Sequence, residues 1–115
     1  MGGWTEGAGS RAGSIGALLL GVPDVGGLRY VGKVGTGFTA QERKMLLDLF
    51  LRSPKKKSPF VPSSVMKESA PVHFLRPIYV GEVRFSEWTS AGRLRQPSWR
   101  GLRNDKDAAK VKIEE

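Results

Sequence analysis

Apolar residues along this chain fall in short bursts separated by turn residues, a pattern of strands more than of long helices. Ser14 to Val22 and Leu28 to Val34 are two such bursts, and Pro23, Asp24, Val25, Gly26 and Gly27 between them supply turn chemistry, so the stretch predicts a β-hairpin. After the break at Gly35, Thr36 and Gly37 the period changes. Thr39 and Glu42 form a capping-box pair ahead of Met45, Leu46, Leu49 and Phe50, which predicts one amphipathic helix. The segment from Lys55 to Pro71 carries three adjacent lysines between prolines and little apolar periodicity, and is expected to be an exposed connection. Strand-like patterning returns at Val72 to Arg76, at Ile78 to Trp88 and, past a turn at Ser90, Ala91 and Gly92, at Arg93 to Leu102.

Before and after these elements the signal fades. Met1 to Gly13 is mostly Gly, Ser and Ala with Trp4 as its large apolar residue, and reads as a Gly-rich linker or strand-edge segment. Such a lead-in suits a flexible arm and equally the start of a domain cut from a longer protein. Residues 107–115 read as a fraying tail of mixed charge. Residues 14–106 therefore carry the expected domain: mainly β, five strands and one α-helix, closing as a small five-stranded barrel that leaves no strand edge unpaired.

Composition narrows the function classes. At 115 residues one core is expected. The excess of 19 Lys+Arg over 11 Asp+Glu gives a net charge of +8, which suits a polyanionic partner or a solvated basic surface. There is no cysteine, so disulfides, thiol chemistry and cysteine zinc sites are excluded. His73, the sole histidine, lies among Val72, Phe74 and Leu75 and is expected to pack rather than to bind a metal. The longest apolar run, Ala17 to Leu20, is too short to span a bilayer and no signal segment leads the chain, so a cytoplasmic protein is expected.

Two apparent motifs dissolve on inspection. Gly27 to Val34 approaches the phosphate-loop pattern, but Val34 stands where the hydroxyl belongs and no helix starts at Lys33. Glu82 and Glu87 are expected to partner nearby arginines rather than to act as acid and base. What remains is Arg93 to Lys106, in which Arg93 and Arg95 would project from one strand face as a row of guanidinium groups. A guanidinium fork suits phosphate, and Arg103 with Lys106 offers one fork and one point charge. Asp105 between them would oppose phosphate unless it orients a neighbour or meets a metal-bound substrate. Trp99 could stack on a base, although a tryptophan in such a strand is more often core.

Taken together, Gly16–Gly21, Leu28–Phe38, Pro97–Arg103 and Asp105-Lys106 resemble, in order, the blocks of the C-terminal OB-fold domain of ATP-dependent DNA ligases, especially the ligase module of bacterial end-joining ligase D. Arg103, Asp105 and Lys106 look like that family's R-x-D-K element, nucleotidyltransferase motif VI. The resemblance implies an OB-fold whose motif VI closes over a separate nucleotidyltransferase domain. There Arg103 and Lys106 would hold the β and γ phosphates of ATP, with Asp105 completing the motif, while AMP moves onto a lysine. Mg2+ would arrive with ATP and not on protein ligands of this chain. The same domain would then reopen and bind nicked duplex DNA through backbone contacts, for which Arg93, Arg95, Arg100 and Lys33 are the candidates. It further implies a monomer acting in DNA repair by end joining, in the bacterial cytoplasm at the nucleoid, with no membrane partner. The family's nucleophilic K-x-D-G tetrapeptide does not occur here, so the chain alone should not ligate DNA.

Two other classes stay in view. A freestanding OB-type binder of single-stranded nucleic acid would need a basic groove and exposed stacking aromatics. A protein-interaction module would need neither. The aspartate between Arg103 and Lys106 favours the ligase reading, because nonspecific backbone binding has no use for it.

Overall fold

A computed structural model describes residues 1–7, 14–55, 57–61 and 72–103. Its elements are β1 (Gly3–Glu6), β2 (Ile15–Asp24), β3 (Gly27–Val34), α1 (Ala40–Leu51), β4 (Val72–Phe74), β5 (Gly81–Arg84), β6 (Glu87–Trp88), β7 (Leu94–Arg95) and β8 (Ser98–Leu102). The protein is mainly β with one helix, as its patterning predicts.

The hairpin forms as expected: β2 and β3 pair antiparallel around a turn at Val25 and Gly26. The continuous apolar run in β2 has a tertiary cause, because the strand is covered on both faces. Leu18 and Leu20 belong to a core with Val31, Val34, Leu46, Phe50, Leu75 and Trp99. Leu19 instead joins Leu28, Tyr30 and Phe60 in a second cluster. A register shift between Leu20 and Gly21 leaves Val31 as an extra residue in β3, so Tyr30 and Val31 can serve different clusters.

Three expectations are corrected. Gly3–Glu6 is no linker: β1 lies between β2 and β4 in a four-stranded sheet of order β3-β2-β1-β4. Trp4, only 4% exposed, supplies the apolar anchor, and its indole stacks on His73 across the β1–β4 pair at 4.3 Å. With β1 present, the helix follows the third strand, not the second. The connection after α1 is not wholly exposed either. Phe60 and Val61 are buried, and the backbone of residues 59–61 brackets β3 through Leu28 N–H to Pro59 O and Val61 N–H to Leu28 O.

The third correction concerns closure. The described strands form one four-stranded sheet and two two-stranded ribbons, β5–β8 and β6–β7, and do not close into a five-stranded barrel. The last two predicted strands are each divided. Gln96 sits at φ 54° and Pro97 lacks an N–H, so Arg93 to Leu102 breaks into β7 and β8. Opposite that break, Phe85 and Ser86 separate β5 from β6. The result is one long bent hairpin with β6–β7 nested inside β5–β8. Its tip is fixed by Thr89, whose N–H donates to Arg93 O and whose Oγ1 accepts from Arg93 N–H.

The capping box stands as read: Glu42 N–H donates to Thr39 Oγ1 and Thr39 N–H to Glu42 Oε1. Leu46 and Phe50 are the helix residues buried against the sheet. No helix among the described residues is long and apolar enough to cross a membrane.

Candidate phosphate-binding site

The bent hairpin carries the chain to Arg103. Leu102 pairs with Gly81, and the next N–H, that of Arg103, donates to Val80 O at 2.8 Å, so the backbone is held up to this residue. The guanidinium reaches Glu82, Nη1 lying 3.3 Å from Oε1, with the Arg103 side chain 36% exposed. A pair this open to solvent contributes about 1 kcal/mol or less, so another oxyanion can replace the carboxylate. The two donor edges of the guanidinium suit phosphate oxygens as well as they suit a carboxylate. Asp105 and Lys106 lie outside the described residues.

The other predicted basic residues are not brought into one row. Arg93 precedes β7 and holds its guanidinium 5.0 Å from the Tyr30 ring centroid, with Nη1 donating to Ala91 O at 3.3 Å. Arg95 pairs with Glu87, Nε to Oε1 at 2.8 Å. Arg93 lies outside β7, whose two residues are Leu94 and Arg95, and is held at the hairpin tip by Thr89, so the regular alternation that a shared arginine face needs is absent there. Arg100 lies on the exposed side of β8 beside buried Trp99, and Lys33 is exposed on β3. Glu82 and Glu87 thus serve as arginine partners, as the sequence suggested.

Trp99 is core, 3% exposed, and stacks on Phe38 at 5.3 Å. His73 packs on Trp4 with Nε2 3.8 Å from Glu6 Oε1. Gly27 to Val34 is strand β3, which removes the phosphate-loop geometry. Among the described residues no three acidic, histidine or cysteine side chains gather to hold a metal ion.

Several contributors escaped the sequence reading. Arg29 donates from Nη1 to Gly92 O at 3.4 Å and ties the hairpin tip to β3. Arg43 donates from Nη1 to Ile15 O at 2.7 Å with its guanidinium 5.0 Å from the Phe38 ring centroid. Arg84, on the exposed side of β5 and opposite Ser98, adds a cation near Arg100's strand. Glu42 reaches beyond its own helix to accept from Trp99 Nε1 at 3.1 Å. None of these has a local sequence signal, except that Glu42 was legible as a cap. The Met1 α-amine donates to Tyr79 O at 3.0 Å, and burial pushes its pKa down from 8.0 to about 6.

Comparison with known proteins matches these features to relatives. The family described as ATP dependent DNA ligase C terminal region matches residues 11–106. The multifunctional non-homologous end joining protein LigD of Mycolicibacterium smegmatis is 51% identical over 111 residues, 96% of this chain and 15% of the relative. Its namesake in Pseudomonas aeruginosa is 41% identical over 112 residues, 95% of this chain and 13% of the relative. The chain thus spans about 15% of the length of the curated mycobacterial relatives it matches. Among solved structures, the ligase domain from M. tuberculosis LigD superposes with a TM-score of 0.90 at 43% identity, covering 99% of this chain and 37% of that one. A mycobacterial DNA ligase D complexed with ATP and MES gives 0.83 at 43% identity, covering 99% and 36%. Matched span, motif order and backbone agree, and the chain belongs to the C-terminal region family of ATP-dependent DNA ligases.

Proposed function

We propose that this chain is the mobile C-terminal lobe of an end-joining ATP-dependent DNA ligase. It closes over the nucleotidyltransferase domain so that Arg103 and Lys106, with Asp105 between them, meet the β and γ phosphates of ATP. Pyrophosphate is thereby oriented to leave as AMP passes to the lysine of that domain, and Mg2+ comes with the nucleotide. The observation that carries the reading is Arg103 itself: a half-buried guanidinium at the end of an ordered ribbon, 3.3 Å from the solvent-exposed Glu82 carboxylate, at the first position of an R-x-D-K motif. Cations placed where negative charge develops on the leaving group stabilise the transition state.

After adenylation the lobe reopens and binds nicked duplex DNA through backbone phosphates, at the nucleoid of the bacterial cytoplasm. Arg100 and Lys33, exposed on β8 and β3, serve this step with Arg84. Arg93 and Arg95 add to it less, being engaged with Tyr30 and Glu87. A freestanding single-strand binder is the weaker reading, since Trp4, Tyr30, Phe60 and Trp99 are all under 10% exposed and leave little stacking platform.

The test is a comparison of steps in the full-length ligase. Arg103→Ala and Lys106→Ala should each slow lysine adenylation on the order of a hundredfold while sealing of pre-adenylated nicks changes far less. Equal losses at both steps would remove the proposed role.

A further inference from the structure

We infer that Glu42 is a positioning residue for Arg103, acting through Trp99; this rests on the motif VI reading above. The two oxygens of its carboxylate are divided between two tasks. Oε1 accepts from Thr39 N–H at 3.2 Å and completes the cap of α1, whereas Oε2 accepts from Trp99 Nε1 at 3.1 Å. One side chain thus fastens the start of the helix to β8, the strand that delivers Arg103.

The surroundings of Trp99 are built for that contact. Its indole lies between Phe38, stacked at 5.3 Å and 21°, and the backbone of Gly81 in β5. A Cβ at Gly81 would run into Trp99 Cζ3, so glycine is what lets the ring lie against the strand. Gly37, at φ 91°, brings its backbone so near that a Cβ there would lie 2.6 Å from Trp99 O. Trp99 N–H in turn donates to Thr36 O at 2.9 Å. Arg43, beside Glu42, anchors the same helix turn to Ile15 O and covers Phe38.

These contacts reach Arg103 in two steps. Gly81, against which the indole rests, is the register partner of Leu102, and Arg103 N–H is held by Val80 O next to it. Displacing the ring therefore moves the ribbon at the point where the motif VI arginine leaves it. A charged acceptor on a buried indole N–H fixes ring direction more strongly than packing alone.

Glutamine at this position separates the tasks, since its amide offers one oxygen where two are used and would set an N–H against the indole N–H. In the full-length ligase, Glu42→Gln and Trp99→Phe should each slow adenylation about tenfold and raise KM for ATP. Their double variant should be no slower than the worse single, and sealing of pre-adenylated nicks should stay near wild type. Thr39→Ala supplies the structural control, because it weakens the same helix cap while leaving the Glu42–Trp99 bond. It should lower the thermal midpoint yet adenylate normally below it. Adenylation by Glu42→Gln at the wild-type rate, or an equal slowing by Thr39→Ala, would overturn the inference while Arg103→Ala remained slow. Normal adenylation by Arg103→Ala would instead overturn the motif VI reading, and this inference with it.

Discussion

The sheet–helix body and the bent hairpin are held by different means. All seven of the largest fully buried side chains, Phe50, Ile15, Leu18, Leu19, Leu46, Leu75 and Val34, belong to the body. Within the hairpin, Trp99 is the one buried hydrophobic residue among those described, and Val83, Trp88, Leu94 and Leu102 are only partly covered. The body is therefore stabilised mainly by apolar area, whereas the hairpin is placed by a few contacts of high specificity: the Trp99 bonds, Arg29 to Gly92 O and Arg93 over Tyr30. A segment with little buried surface opens at a lower free energy than the core it rests on. That suits the role proposed above, in which the hairpin would carry its cations to ATP and to DNA in turn.

The contrast can be broken most directly in the cores. Leu18→Ala, at a fully buried site, should cost about 3–4 kcal/mol in denaturant unfolding, and Leu94→Ala in the ribbon about 1 kcal/mol. Similar losses at both sites would mean that the hairpin is part of one uniform core.

A smaller effect should appear with pH in the 115-residue polypeptide taken by itself, in which the Met1 amine donates to Tyr79 O. The amine titrates near 6 in the fold and near 8.0 unfolded. Between those values the unfolded chain binds the additional proton, so stability should rise as pH increases from 6 to 8, by about 2 kcal/mol in total, and level off above. Chemical denaturation in a His73→Gln background isolates this amine; a flat profile across the window would mean that the charged amine is solvated in the fold. The smallest effect is expected on the hairpin surface, where Arg95→Ala removes the exposed pair with Glu87. Its cost should stay within about 1 kcal/mol and shrink further in high salt. A larger, salt-insensitive loss would assign the ribbon's placement to its ion pairs and not to Trp99.

What the chain determined by itself lies in features whose partners are near in sequence. The β2–β3 hairpin follows from two short apolar runs around turn residues, and the cap of α1 from residues three apart, Thr39 and Glu42. The family was legible for a related reason, since motif order and the R-x-D-K residues are properties of the string. Tertiary structure decided what depends on distant segments meeting. Gly3–Glu6 becomes a central strand only because β2 and β4 supply partners on both sides, and Arg93 and Arg95, expected in one row, are drawn to different partners, Tyr30 and Glu87. The arginine-rich hairpin was legible as basic, but which cations are engaged depended on where Tyr30, Glu82 and Glu87 arrived. Glu42 marks the boundary: one of its oxygens answers to a residue three positions back, which patterning can find. The other answers to an indole 57 residues ahead, which only the folded chain brings within reach.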